Sequence, residues 1–324
     1  MFEFWKKKSK APPVQTAPVY PVPAPLPADE GFVGLAPDTM RVDGSASEPD
    51  APETGIIALP PLIEYTVEAS LLSDIGCTRQ VNQDSGRIFL GSPKGVLILV
   101  ADGMGGHKGG EVASQLCIEA LARSFFQGSA DPHTDLHRAF LEANAAIFEE
   151  ARQHPDLQGM GTTCTALVIQ NGMAYAAHVG DSRLYMVRGG DIYLMTEDHS
   201  AVMELVRQGT LTLAEARHHA DKNVITRALG SRPEVEPSHW SEPLPVRMGD
   251  KFILCSDGLY DRMEDSEIRS VVLSKSAAEA CVTLIELAKQ RGGYDNITVA
   301  VAGLEAVSEE KKAPPETREL EVQL

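Results

Sequence analysis

Four aspartates stand where apolar runs start or stop. Asp84 lies in "VNQDS" just ahead of "RIFLG", and Asp102 closes the run of "LILVADGMGG". Asp257 follows the run of "FILCSDG", and Asp295 precedes that of "GGYDNITVAV". An aspartate at the mouth of an apolar strand sits on a rigid element and cannot readily neutralise its charge nearby. Any single one fits a turn or a helix cap, for Asp-Gly and Asp-Asn are common turn formers. Four together, with no comparable run of lysine or arginine, point to hard divalent cations such as Mg2+ or Mn2+, which take carboxylate, carbonyl and water oxygens. Zinc is disfavoured, since no histidine/cysteine cluster shows its ligand spacing. Glycine beside Asp102 and Asp257 lets the backbone come close to an ion or phosphate, and a glycine carbonyl can ligate directly. The run "GMGGHKGG" lacks the Gly-Lys-Ser/Thr of a nucleotide phosphate loop and does not match G-x-G-x-x-G with a downstream ribose acid.

The elements that must hold these residues alternate unevenly. "EYTVEASLLS" has a period of two, and "RIFLG" and "VLILVAD" read as strands ending in polar turns. "GEVASQLCIEALARSFFQ" and "HTDLHRAFLEANAAIFEEARQH" carry apolar residues at three- and four-residue spacing, which predicts two consecutive amphipathic helices. "TTCTALVIQ", "MAYAAHVG" and "RLYMVRGGDIYLM" return to strands, with hairpin signals at Asn171-Gly172 and Gly189-Gly190. A polar, helix-prone stretch covers residues 200–219; then come a strand at "KFILCSDG", a helix at "SAAEACVTLIELAKQRG" and a last strand at "NITVAVAGL". This order predicts an α+β protein in which helices cover two packed antiparallel sheets. The hairpins argue against a doubly wound parallel sheet.

From Ala11 to Pro61 the chain holds twelve of its 21 prolines, with few large apolar residues and no period. Such a segment buries too little to offset its ordering entropy, so residues 1–61 read as a disordered Pro-rich arm. Residues 305–324 read as a flexible tail. One domain remains, from 62 to 304. The 324 residues carry 46 acidic against 29 basic side chains, a formal charge of −17, which argues against nucleic acid or anionic lipid as the main partner. Five scattered cysteines form no Cys-x-x-Cys pair and read as buried, reduced thiols of a cytoplasmic protein. No stretch approaches the roughly 18 apolar residues of a membrane span, and "MFEFWKKKSK" makes a poor signal peptide.

The blocks "GCTRQVNQD", "VADGMGGHKGGEVAS", "GMGTTCTALVI", "AHVGDSRLYMVRGG", "TEDHS", "VITRALG", "LCSDGLYD" and "GGYDNITVAV" resemble, in order and spacing, the metal-dependent protein phosphatases (PPM, or type 2C, family), bacterial members above all. The resemblance spans residues 62–304 and implies a four-layer αββα sandwich of two antiparallel sheets flanked by helices. It implies two Mn2+ or Mg2+ ions between the sheet edges. Asp102 would bridge them, the Gly103 carbonyl would bind one, Asp257 and Asp295 would hold the other, and Asp84 would act partly through water. The family often has Glu before that first aspartate; this chain has Gln83. Arg79 matches the phosphate-binding arginine, whose planar fork grips phosphoryl oxygens. A third, weaker ion is implied at Asp181, with the carbonyl at Asn223, and residues 196–229 would form a flap beside the cleft.

The reaction implied is hydrolysis of phosphoserine and phosphothreonine on proteins by a metal-bridged water attacking in line. No cysteine nucleophile is required. Eukaryotic relatives place a histidine two residues after the bridging aspartate, where this chain has Met104. His107 in the same loop is the candidate proton donor to the leaving oxygen, and a metal-held water is the alternative. The expected partners are phosphorylated proteins, a Ser/Thr kinase or its targets among them, and the chain is expected to be a monomer.

Overall fold

A computed structural model describes residues 15–16, 20–22, 63–106, 108–128 and 131–306. Two short strands, β1 (Gln15–Thr16) and β2 (Tyr20–Val22), precede β3 (Ile63–Asp74), β4 (Asp84–Ser92) and β5 (Gly95–Met104). Helices α1 (Gly109–Gln127) and α2 (Pro132–Gln153) follow, then β6 (Gly161–Thr162), β7 (Cys164–Gln170), β8 (Met173–Val179), β9 (Arg183–Arg188) and β10 (Asp191–Leu194). Short helices α3 (Ala201–Arg207) and α4 (Leu213–His218) lead to β11 (Ser238–His239), β12 (Leu244–Pro245) and β13 (Lys251–Cys255). Helices α5 (Asp257–Tyr260), α6 (Asp265–Ser274) and α7 (Ala277–Gln290) come before β14 (Ile297–Ala306).

The strands form two seven-stranded antiparallel sheets. One runs β1-β3-β14-β13-β9-β10 with β2 also on β3; the other runs β11-β8-β7-β5-β4 with β12 on β8 and β6 on β5. Alternation along each strand decides which layer a side chain enters. On β5, Val96, Ile98 and Val100 enter the core between the sheets, while Leu97, Leu99 and Ala101 meet α1 and α2 on the outer face. On β13, Phe252 and Leu254 face the first of these cores, and Ile253 and Cys255 face α6 and α7. The result is the αββα sandwich that the sequence predicts. Phe125, Phe140 and Leu121 are wholly buried under the helices, and each such side chain contributes about 2 kcal/mol.

The long helices begin where the sequence marks them. The Asp131 carboxylate caps α2 by accepting from the backbone N–H groups of His133 and Thr134, with Pro132 in the first turn. Ser276 and Glu279 form a capping box on α7. The Asn171-Gly172 hairpin turns with φ of 51° and 77°, joining β7 to β8. Cys117, Cys164, Cys255 and Cys281 are buried free thiols, but Cys77 is exposed. Helix α6 is not predicted from the sequence.

Within the arm, residues 15–16 and 20–22 are described: β1 and β2 pair with the edge of β3, Gln15 opposite Ala69 and Tyr20 opposite Tyr65. An open strand edge leaves backbone donors and acceptors unpaired, and short extended segments between prolines satisfy them. The rest of the arm and residues 307–324 lie outside the described residues.

Candidate active site

The register of the sheets gathers the aspartates. Asp84 and Asp102 stand directly opposite each other on β4 and β5, so their side chains share a face. Asp102 has the parity of Val96, Ile98 and Val100, which aims it at the gap between the sheets. From the other sheet, Asp257 follows β13 and Asp295 precedes β14; these strands are antiparallel neighbours, so both residues emerge at one end. Asp181 sits in the turn between β8 and β9. Asp102, Asp181, Asp257 and Asp295, with Arg79 and Asn223, line one cleft of about 350 Å³. Asp84 is buried beside it. His107 lies outside the described residues.

Neighbouring polar groups, which the sequence reading misses, fix these positions. The Ser256 hydroxyl donates to Asp84 Oδ2 at 2.7 Å and accepts from the Thr298 N–H at 2.9 Å, tying one sheet to the other. The Thr163 hydroxyl accepts from the Asp102 N–H at 2.9 Å, and the Thr162 hydroxyl donates to the Asp102 carbonyl at 2.9 Å. Asn296 accepts from the Gln83 N–H at 2.8 Å and donates to the carbonyls of Ile75 and Val81. The available signal is adjacency: Ser256 and Asn296 each flank an aspartate, and Thr162 and Thr163 belong to "GTTC".

Backbones run close here. A Cβ at Gly103 would meet the Gly110 carbonyl at 2.0 Å, and one at Gly258 would meet the Asn296 carbonyl at 2.0 Å. Only glycine fits at either point. Gln83 does what a glutamate could not: its side-chain amide donates to the Gly106 carbonyl at 3.0 Å, holding the glycine loop; separately, its backbone carbonyl accepts from the Ser114 hydroxyl at 2.6 Å. Residues 196–229 hold α3 and α4; the Ser200–Ile225 and Thr162–Leu229 bridges anchor this segment, and Asn223 and Ile225 reach the cleft.

The electrostatics are those of like charges crowded away from water. Burial raises Asp84 to about 6, eased by the Ser256 hydrogen bond. Asp102 is pushed well above the carboxylate range, first by burial and then by Asp84, Asp257, Asp181 and Asp295. Burial followed by Asp181 and Asp295 does the same to Asp257, and burial followed by Asp198 takes Asp181 to about 7. Among the described residues, Arg79 is the cation that pairs with an aspartate of the cleft wall, its Nη2 lying 2.7 Å from Asp295 Oδ2 at a half-exposed position. Arg183, next to Asp181, is committed to a two-pronged pair with Asp198 and lies 3.8 Å over the Tyr260 ring.

Divalent cations fit this donor set. Asp84 Oδ1 and Asp257 Oδ1 are buried with no hydrogen-bond partner, and only a cation lowers the cost of keeping these groups charged. Among the described residues no three carboxylate, imidazole or thiol side chains already close around a single point.

Residues 78–295 match the protein phosphatase 2C family. The protein phosphatase PhpP of Streptococcus pneumoniae is 36% identical over 242 residues, covering 74% of this chain and 98% of that protein. The serine/threonine protein phosphatase PstP of Mycobacterium tuberculosis is 42% identical over 231 residues, 71% of this chain and 43% of that protein. The crystal structure of that phosphatase superposes with a TM-score of 0.68 at 40% identity, covering 74% of this chain and 99% of the solved one. A PstP catalytic domain solved with two manganese ions gives 0.66 at 39% identity, over 74% and 99% of the two chains.

Proposed function

The chain belongs to the protein phosphatase 2C family, and from that premise we propose that it hydrolyses phosphoserine and phosphothreonine esters on proteins, using two Mn2+ or Mg2+ ions. The observation that carries this reading is the pair Asp102 and Asp257 in the cleft, raised by burial and by neighbouring aspartates, with no ion pair to a basic side chain among the described residues. Bound ions would supply Lewis acidity and a water acidic enough to attack phosphorus in line with the serine or threonine oxygen.

The chain's own residues do the positioning. Asp102, clamped front and back by Thr162 and Thr163, would be shared by both ions, and the Gly103 carbonyl would bind one of them. Asp257 and Asp295, at neighbouring strand ends, would hold the other. Asp84, held by Ser256, would act through water. Asp181 and the carbonyl of Asn223 are the donors for a third ion. Arg79 would exchange the Asp295 carboxylate for two phosphoryl oxygens, a like-for-like trade of one charge-assisted pair for another. The flap beside the cleft would meet the polypeptide around the phosphorylated residue. Substrates in this reading are phosphoproteins, with a Ser/Thr kinase or its targets among them.

The test is dephosphorylation of a phosphothreonine peptide by wild type and by Asp102→Asn, with and without added Mn2+ or Mg2+. Metal-dependent release of phosphate by wild type alone is expected. Full turnover in excess chelator would overturn the reading.

A further inference from the structure

Five of the nine histidines gather along the two residues of β11. On the inner side, Ser238 stands opposite His178 and hydrogen-bonds His199 at 2.9 Å. On the outer side are three imidazoles that nothing in the phosphatase reaction uses. His133 and His137 are four residues apart on the first turns of α2, so they share a face of the helix. His137 Nδ1 lies 2.9 Å from His239 Nε2. The His239 ring centroid is 5.0 Å from that of His137 and 4.8 Å from that of His133. Glu242 lines the same small hollow as His133 and His239, and Glu236 is close enough to act on His239 electrostatically.

Two imidazole nitrogens at this separation join only if one carries a proton and the other offers its lone pair. The proton between them occupies the place of a bridging cation. A tetrahedral zinc ion binds nitrogen at about 2.0–2.1 Å, which sets two ligand nitrogens roughly 3.3 Å apart, a few tenths of an ångström wider than the pair seen here. Without an ion the three rings do not all face one point, but His133 is exposed and its ring can turn. The helix beneath is fixed by the Asp131 cap and Pro132. Local spacing hides the cluster, because its third member lies 102 residues from His137.

We propose that His133, His137 and His239 form a second metal site, for a borderline-soft divalent ion such as Zn2+, with Glu242 as the fourth ligand. Imidazole donors select zinc, nickel or copper, whereas the oxygen donors of the cleft select magnesium or manganese. The two sites therefore answer to different ions. Occupancy fastens the first turn of α2 to β11, a strand only two residues long.

The experiment titrates Zn2+ into the full-length protein against a chromophoric zinc chelator, with saturating Mg2+ to keep the cleft filled. Wild type is expected to hold one zinc ion more than the His133→Ala/His137→Ala variant, and His133→Ala alone to weaken that ion by at least about tenfold. His154→Ala, which removes an exposed histidine at the far end of α2, is expected to bind as wild type. Binding is expected to fade as the pH falls below the ordinary histidine value, about 6.5. The Mg2+-dependent phosphatase rate of His133→Ala without zinc is expected to equal that of wild type, which verifies folding. Equal zinc stoichiometry and affinity in wild type and the double variant would overturn the proposal.

Discussion

Two sets of buried aspartates divide this molecule. Asp135, Asp250 and Asp198 are nearly inaccessible, and each meets a cation of the chain: Lys94 with Arg138, Arg188, and Arg183 respectively. Asp84 and Asp181 are as inaccessible, and Asp102 and Asp257 are half-buried, yet the charged neighbours that raise them are other aspartates. The first set fastens loops and helices to sheets, as Asp135 does when it draws Lys94 of the β4–β5 hairpin onto α2. In the proposed function, the second would keep its charge by taking cations from solution. A buried carboxylate without an internal partner is the stronger candidate for function.

Substitutions can break this contrast, beginning with the largest effect. Asp257→Asn should cut phosphopeptide turnover by roughly a thousandfold, since in the proposed function one ion would lose a ligand. In the ion-free protein it should leave the unfolding free energy unchanged or raised, because a repelling charge is gone. Asp135→Ala should do the reverse: near-normal turnover of the folded fraction, but about 3 kcal/mol less stability in urea unfolding, for Lys94 and Arg138 lose their partner. If both variants lose stability alike, the two sets are not distinct. Added Mn2+ should raise the melting temperature of wild type and of Asp135→Ala, and much less that of Asp102→Asn.

Arg79→Ala tests the border between the sets. Its pair with Asp295 is half-exposed, so stability should hardly move, while KM for the phosphopeptide rises roughly tenfold or more. An unchanged KM would remove Arg79 from phosphate binding. The smallest effect concerns a buried base. Burial, then His178 and Arg227, lowers His199 to about 3, so it is neutral in the fold. Its contribution is complete above the unfolded value of about 6.5 and is lost as the pH falls from there towards 3. His199→Asn should flatten that part of the stability–pH curve, measured by chemical denaturation.

Much of the cleft can be read from the chain because each of its aspartates ends or begins an apolar run, and strand ends are local signals. The paired set cannot be read this way. Asp250 and its partner Arg188 are 62 residues apart with no pattern to link them, and the His133–His137–His239 cluster has the same character. Helices α1, α2 and α7 are legible from their apolar residues. Helix α6 is ten residues long with only Ile268 and Val272 buried, too little apolar periodicity to stand out. Strands β1 and β2 escape notice because edge pairing uses backbone groups, which every sequence carries.

Strand β14 is the last of the described elements in chain order, yet it lies between β3 and β13 in the middle of its sheet. Asp84 and Asp102 leave the ribosome long before Asp295 and the strand that it introduces. A nascent chain therefore has half of its acidic cleft and an unfilled slot, and hydrolysis must wait until the last strand has been threaded in. Such late, non-local closure is slow, and it makes the last strand the step that joins the two halves of the acidic cleft.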